Sequence, residues 1–177
     1  MRLLFVTGSS GAGKSTLVTE LRSMLPEYFE THDFDELGVP LDADKAWRIE
    51  TTKKWVTRAE ENDAQGISTI IVGLTHPNEV HDIATERHIE VAFCMLEVEP
   101  EELRRRLMAH RFSSPERIEN LKKYEGVTPE EFFENNRIHT EQIRQEALRL
   151  NAFFLDTTHL SPHEAATEVM DWILSGK

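Results

Sequence analysis

Five short β-like runs punctuate the chain, at residues 3–7 (LLFVT), 28–32 (YFETH), 68–74 (STIIVGL), 90–96 (EVAFCML) and 152–155 (AFFL). Most are continuous rather than alternating apolar and polar. Strands covered on both faces read that way, whereas strands with one wet face alternate. Longer stretches with helical spacing lie between them. The pattern therefore predicts an α/β fold with a parallel sheet.

The helices carry start signals. Ser161-Pro162-His163-Glu164 and Thr128-Pro129-Glu130-Glu131 each place a capping hydroxyl, a proline at the first helical position and a glutamate three residues after the cap. The hydroxyl satisfies an orphan N–H and the glutamate returns the favour. Ser114-Pro115 is the first half of that signal, and Gly126 separates the helix after it from the next. Residues 42–64 read as one helix with two stripes. Ile49, Thr52, Val56 and Ala59, with Trp55 at the edge, form the face that packs on the sheet. Trp47, Thr51, Lys54 and Arg58 form the second. Phe132, Phe133 and Trp172 sit on helical patterns and read as core.

Composition narrows the class. The chain has 177 residues, 39% of them hydrophobic, with no internal repeat, low-complexity tract or linker, so residues 1–177 are expected to form one domain. Twenty Lys+Arg against 32 Asp+Glu give a formal net charge of −12, which repels phosphate backbones and argues against a general nucleic-acid binder. One cysteine, Cys94, excludes an internal disulfide framework and suits a reducing cytoplasm. The longest nearly apolar run, residues 67–74, falls far short of a membrane span, and the N-terminal apolar stretch is too short for a signal peptide. The expectation is a soluble cytoplasmic protein with no membrane partner.

One motif dominates. Gly8-Ser9-Ser10-Gly11-Ala12-Gly13-Lys14-Ser15, followed by Thr16, fits G-x-x-x-x-G-K-[ST] between the first strand and a helix over residues 13–25. Glycines let the backbone curl so that successive N–H groups point at one anion, and the helix N-terminus adds its positive end. In such a loop the lysine reaches the β and γ phosphates of a nucleotide and the hydroxyl of Ser15 binds Mg²⁺. ATP and Mg²⁺ are thus the expected cofactors. Asp33 and Asp35, in THDFDELGVP, follow Lys14 by 19 and 21 residues. That spacing returns the chain to the carboxyl edge of the sheet, where ligands sit. One carboxylate can hold Mg²⁺ through water while the other takes a proton from an attacking hydroxyl.

The phosphate loop with DFD about twenty residues on resembles the small-molecule P-loop kinases: shikimate, gluconate and adenylylsulfate kinases and chloramphenicol phosphotransferase, within the AAA-type P-loop NTPase superfamily. It is also similar to kinase domains that phosphorylate nucleic-acid 5′ ends. The resemblance implies a three-layer fold, a five-stranded parallel sheet in order 2-3-1-4-5 and a helical lid at about residues 104–127. It also implies Asp33 as a Mg²⁺ contact and Asp35 as the base. The chain departs from the pattern in places. The third strand ends in Gly73-Leu74-Thr75 with no Walker B carboxylate, which puts more weight on Ser15 and Asp33. Neither the glycine-rich substrate loop of shikimate kinase nor the Cys-Ser-Ala run of gluconate kinase is present.

Arg104, Arg105, Arg106, Arg111 and Arg117 concentrate positive charge after the fourth strand. Arginine forks stabilise charge on a transferred phosphoryl group, and one or both of Arg106 and Arg111 are the expected catalytic arginines. The competing reading is a solvated helix face paired with Glu101 and Glu102. Trp47, Thr51, Arg58 and His76 are the expected acceptor contacts. His76, His81 and His88 do not have zinc spacing. Asp156-Thr157-Thr158 stands where similar kinases border the adenine. The combined expectation is an ATP-dependent kinase acting on a hydroxyl of a small molecule. The alternatives are a nucleotide-dependent regulatory ATPase, or a 5′-hydroxyl nucleic-acid kinase using Lys53, Lys54 and Arg58.

Overall fold

A computed structural model describes residues 2–176. The strands are β1 (Leu3–Gly8), β2 (Phe29–Asp33), β3 (Ser68–Val72), β4 (Val91–Glu97) and β5 (Phe153–Asp156). The helices are α1 (Lys14–Met24), α2 (Lys45–Asp63), α3 (Pro77–Glu86), α4 (Pro100–His110), α5 (Pro115–Tyr124), α6 (Pro129–Arg149) and α7 (Pro162–Ser175), with a 3-10 turn at Phe34–Leu37. The five strands form one parallel sheet in the order β2-β3-β1-β4-β5, as the resemblance implied. β1 has β3 on one side and β4 on the other. The chain therefore switches direction of winding at its carboxyl end, where α/β sheets open a ligand crevice.

The continuous apolar strands are explained by helices on both faces. Every residue of β1 and β3 is buried. Leu4 and Val6 point into a layer made by α1 and α7, with Leu17, Leu21, Val169 and Ile173. Leu3 and Phe5 point the other way, toward Trp55, Val56, Val80 and Ile83 of α2 and α3. α6 covers Met95 of β4 with Ile143 and Ala147. Trp172 belongs to the first layer as expected. Phe132 and Phe133 do not join the sheet's core. They are half-buried in a separate small cluster with Leu107, Phe112 and Leu121, so the segment at α4 and α5 has apolar packing of its own.

Local signals set the helix ends. Both expected capping boxes form, at Thr128 and Ser161, and the Ser114 hydroxyl accepts from the Arg117 N–H. α2 starts at Lys45 rather than at residue 42, because the Asp44 carboxylate caps the Trp47 N–H at 2.8 Å. Cys94 is fully buried and its thiol is pushed well above the ordinary range by desolvation. Among the described residues, no helix is long and apolar enough to cross a membrane.

Candidate active site

The phosphate-type loop joins β1 to α1. Gly13 caps α1 at φ 95, a left-handed conformation that favours glycine, and supplies no side-chain cap. No acidic side chain lies in the first turn of α1, so the helix places no carboxylate of its own at its N-terminus. Such an end, with free N–H groups and the positive end of the dipole, is an anion site. Lys14 folds back along the loop. Its Nζ donates to the carbonyls of Gly8 and Ser9, each at 2.8 Å. Burial lowers its pKa to about 8, while the charges of Asp33 and Asp35 pull in the opposite direction. Ser10, Gly11, Ala12, Gly13, Ser15 and Thr16 all line the same cleft as Lys14.

Residues far away in sequence hold this loop. Asn136 of α6 clasps Ser10, accepting from its N–H at 3.2 Å and donating to its carbonyl at 3.3 Å. Sequence reasoning missed Asn136. Its signal was a polar residue on the stripe that carries Ile143 and Ala147, the buried face of α6.

The acid pair is positioned by the residue between its members. Asp33 ends β2, and its Oδ1 accepts from the Asp35 N–H at 3.0 Å. Phe34 is 1% exposed, and its carbonyl accepts from Trp55 Nε1 at 3.1 Å. Trp47 meets the Phe34 ring edge-on, with centroids 5.9 Å apart. Gly73, just past β3, leaves the space that Phe34 fills; a Cβ there would overlap Phe34 Cβ. With Phe34 pinned inward, both carboxylates stand in the cleft with Lys14. Desolvation and the Asp33 charge raise the pKa of Asp35, and Lys14 partly opposes them.

The cleft has a volume of about 990 Å³ and runs from the acid pair, past the loop, to the turn after β5. Arg105, Arg106, Arg111 and Arg117 line it. Each already has a local partner. Arg106 donates to the carbonyls of Thr157 and Thr158 at 2.6 and 3.2 Å and to Glu102 at 2.8 Å. It therefore buttresses the turn after β5. Arg111 pairs with Glu125 at 2.5 Å and lies over the Phe132 ring. Arg105 pairs with Glu102, Arg104 with Glu130, and Arg117 donates to the His110 carbonyl. Glu102 is thus the carboxylate that neutralises two of the cluster, as the competing reading held for that residue.

The four expected acceptor contacts are not brought together. α2 starts beside the acid pair and runs back along β3, so a stripe from residue 47 to 58 spreads over about 16 Å. Thr51 is buried. Arg58 pairs with Glu30 at 2.8 Å, three residues before Asp33 on β2 and roughly 10 Å from it along the strand. Lys53 faces Glu50. Trp47 supports Phe34. His76 is at the carboxyl edge of the sheet, but it is engaged: Nδ1 lies 3.0 Å from Glu146 Oε1 and Nε2 lies 2.8 Å from His139 Nε2. Among the described residues, no group of three or more His, Cys, Asp or Glu could hold a metal ion.

No protein-family model matches the chain and no curated protein matches it in sequence. Solved structures do match. An unliganded sugar kinase from Janibacter sp. HTCC2649 superposes with a TM-score of 0.65 at 18% identity, covering 98% of this chain and 94% of that one. Shikimate kinase from Acinetobacter baumannii, in complex with shikimate, gives 0.62 at 18% identity, covering 100% and 95%. The APS kinase of Mycobacterium tuberculosis, in complex with AMPPNP and APS, gives 0.61 at 16% identity, covering 98% and 97%. The chain has the fold of the small-molecule P-loop kinases.

Proposed function

We propose that the protein is a kinase that moves the γ-phosphoryl group of ATP to a hydroxyl of a small molecule. The observation that carries this reading is the meeting, in one cleft, of an anion-binding loop with Lys14 and of Asp35, whose proton affinity is raised by desolvation and the Asp33 charge. The kinase names of similar structures support it, including one bound to AMPPNP and APS and one bound to shikimate.

In this reading the N–H groups from Gly8 to Thr16 cradle the phosphates. Lys14 leaves its resting carbonyl partners for the β and γ phosphates, where negative charge restores its proton affinity. Asp35 accepts the hydroxyl proton as the acceptor oxygen forms its bond to phosphorus. The bond from phosphorus to the β–γ bridging oxygen breaks, and ADP leaves with the electron pair. The Ser15 hydroxyl and the Asp33 carboxylate are hard oxygen donors that would hold Mg²⁺. Bound there, Mg²⁺ would neutralise phosphate charge. Arg106 and Arg111 belong to the wall that closes over the nucleotide.

The test is acceptor-stimulated ADP release across a metabolite and antibiotic collection. Wild-type protein is expected to release ADP with at least one acceptor. Lys14→Ala is expected to lose that release while keeping the wild-type circular dichroism spectrum. Full activity in Lys14→Ala refutes the assignment.

A further inference from the structure

The side of the cleft beyond the acid pair has its own chemistry. β3 leads into Gly73 and Leu74, which line the cleft, and the chain then passes through Thr75 to His76 at the start of α3. The first turns of α2 and α3 and the middle of α6 converge there. Arg48 of α2 donates both arms of its fork to Glu79 of α3, at 2.7 and 3.0 Å. Lys45 lies 3.6 Å from the same carboxylate. Glu146 of α6 accepts from the Asn78 N–H at 3.2 Å with one oxygen and meets His76 with the other. Cations and carboxylates are matched on the spot.

We propose that this side receives an uncharged hydroxyl compound with an apolar part, held through His139; the proposal rests on the kinase reading above. A carboxylate or phosphate on the acceptor needs an open arginine fork, and that of Arg48 is filled by Glu79. An ammonium group needs an open carboxylate. Glu79 and Glu146 are both spent, and pairing with Asp35 would remove the base. Two polar atoms here are unspent: the buried Thr75 hydroxyl oxygen, and one on His139. Its Nε2 shares a proton with His76 Nε2, while its Nδ1 has no hydrogen-bond partner among the described residues. Burial and the nearby charges of His76 and Arg48 hold that ring toward its neutral form, against the pull of Glu146 and Glu79. A neutral imidazole nitrogen is a single hydrogen-bonding point suited to a hydroxyl. The apolar part has a surface to meet. Leu37, Val39 and Leu41 are 47%, 53% and 104% exposed on the segment between the acid pair and α2. Leu74 adds a fourth exposed aliphatic at the end of β3. Leu74 is the one of the four that lines the cleft itself, and an apolar patch open next to a cleft marks a ligand surface.

The experiment uses matched trios of aryl glycosides, nucleosides and aryl diols, each as uncharged parent, carboxylate and amine, read by ADP release. Uncharged parents are expected to be preferred in kcat/KM by about tenfold or more over their charged partners. His139→Gln is expected to raise KM for the best parent about tenfold and to leave KM for ATP unchanged. Glu79→Gln frees the Arg48 fork and is expected to admit the carboxylate member of that trio, a gain that mere loss of structure does not produce. Preference of the wild-type protein for carboxylates or amines overturns the proposal and upholds the kinase. If no member of any class stimulates ADP release by protein that binds ATP, the kinase reading fails and the proposal falls with it.

Discussion

Gly73→Ala tests whether the acid pair is positioned from below. The new Cβ would overlap Phe34 Cβ and lie 3.2 Å from Phe34 Cγ and 3.4 Å from its Cα. Carbon pairs settle at about 3.5–4.0 Å, so relief needs a shift of roughly 1 Å. β3 is hydrogen-bonded on both sides, to β1 and β2, and yields little. Phe34 must move instead, although it is held by the Trp55 hydrogen bond and by Trp47. Overpacking of this size costs about 1–3 kcal/mol, which for a chain this long lowers Tm by about 2–4 °C per kcal/mol. The larger effect falls on turnover. Asp33 and Asp35 flank Phe34 and move with it, and a misplacement of about 1 Å costs about 100-fold in rate. The expected result is kcat for acceptor-stimulated ADP release about 100-fold lower, with a melting point a few degrees lower. ATP binding by calorimetry stays within about threefold, because the nearest atoms to the added Cβ all belong to Phe34 and none to the loop from Gly8 to Ser15. Wild-type kcat together with wild-type Tm refutes the argument.

Three further substitutions test other parts of the site. Asp35→Asn is expected to lower kcat by about 10²–10⁴ with ATP affinity retained. It is also expected to raise Tm at neutral pH. The native carboxyl binds its proton more tightly than the unfolded one, so its contribution to stability is lost as pH rises from the ordinary aspartate range through the raised native value. A lower Tm by scanning calorimetry contradicts that sign. Asn136→Ala removes both hydrogen bonds to Ser10 and strands two backbone groups at a cost of about 1–3 kcal/mol. KM for ATP is expected to rise several-fold in steady-state assays; an unchanged value shows that the clasp does not order the loop. Arg106→Ala removes the donor from the carbonyls of Thr157 and Thr158. Weaker ATP binding with little change in kcat is expected, whereas a loss confined to kcat places the guanidinium on the transferred phosphoryl instead.

What the chain encodes in contiguous residues was legible without the structure. The positions of β1, β3, β4 and β5 followed from apolar runs, because a parallel strand inside the sheet buries both faces, whereas β2, at the edge, reads FETHD with only Thr31 buried. The two capping boxes followed from a hydroxyl and a carboxylate three residues apart. The phosphate-type loop followed from glycines whose freedom acts on their own backbone. Periodicity did not supply the strand order, which came only through the resemblance and which the sheet bears out. Nor did it supply any partner across elements. Asn136 meets Ser10 across 126 positions, and His76 meets His139 across 63. Arg106 reaches Thr157 rather than a bare cleft, and Gly73 matters only because β3 brings it under Phe34. The stripe on α2 had the right chemistry and spacing, but the helix runs away from the acid pair and leaves Arg58 with Glu30. Local hydrogen bonding is settled within one turn or one loop, so the sequence determines it directly. Which side chains meet across the cleft depends on sheet register and helix direction, and only the folded chain decides those.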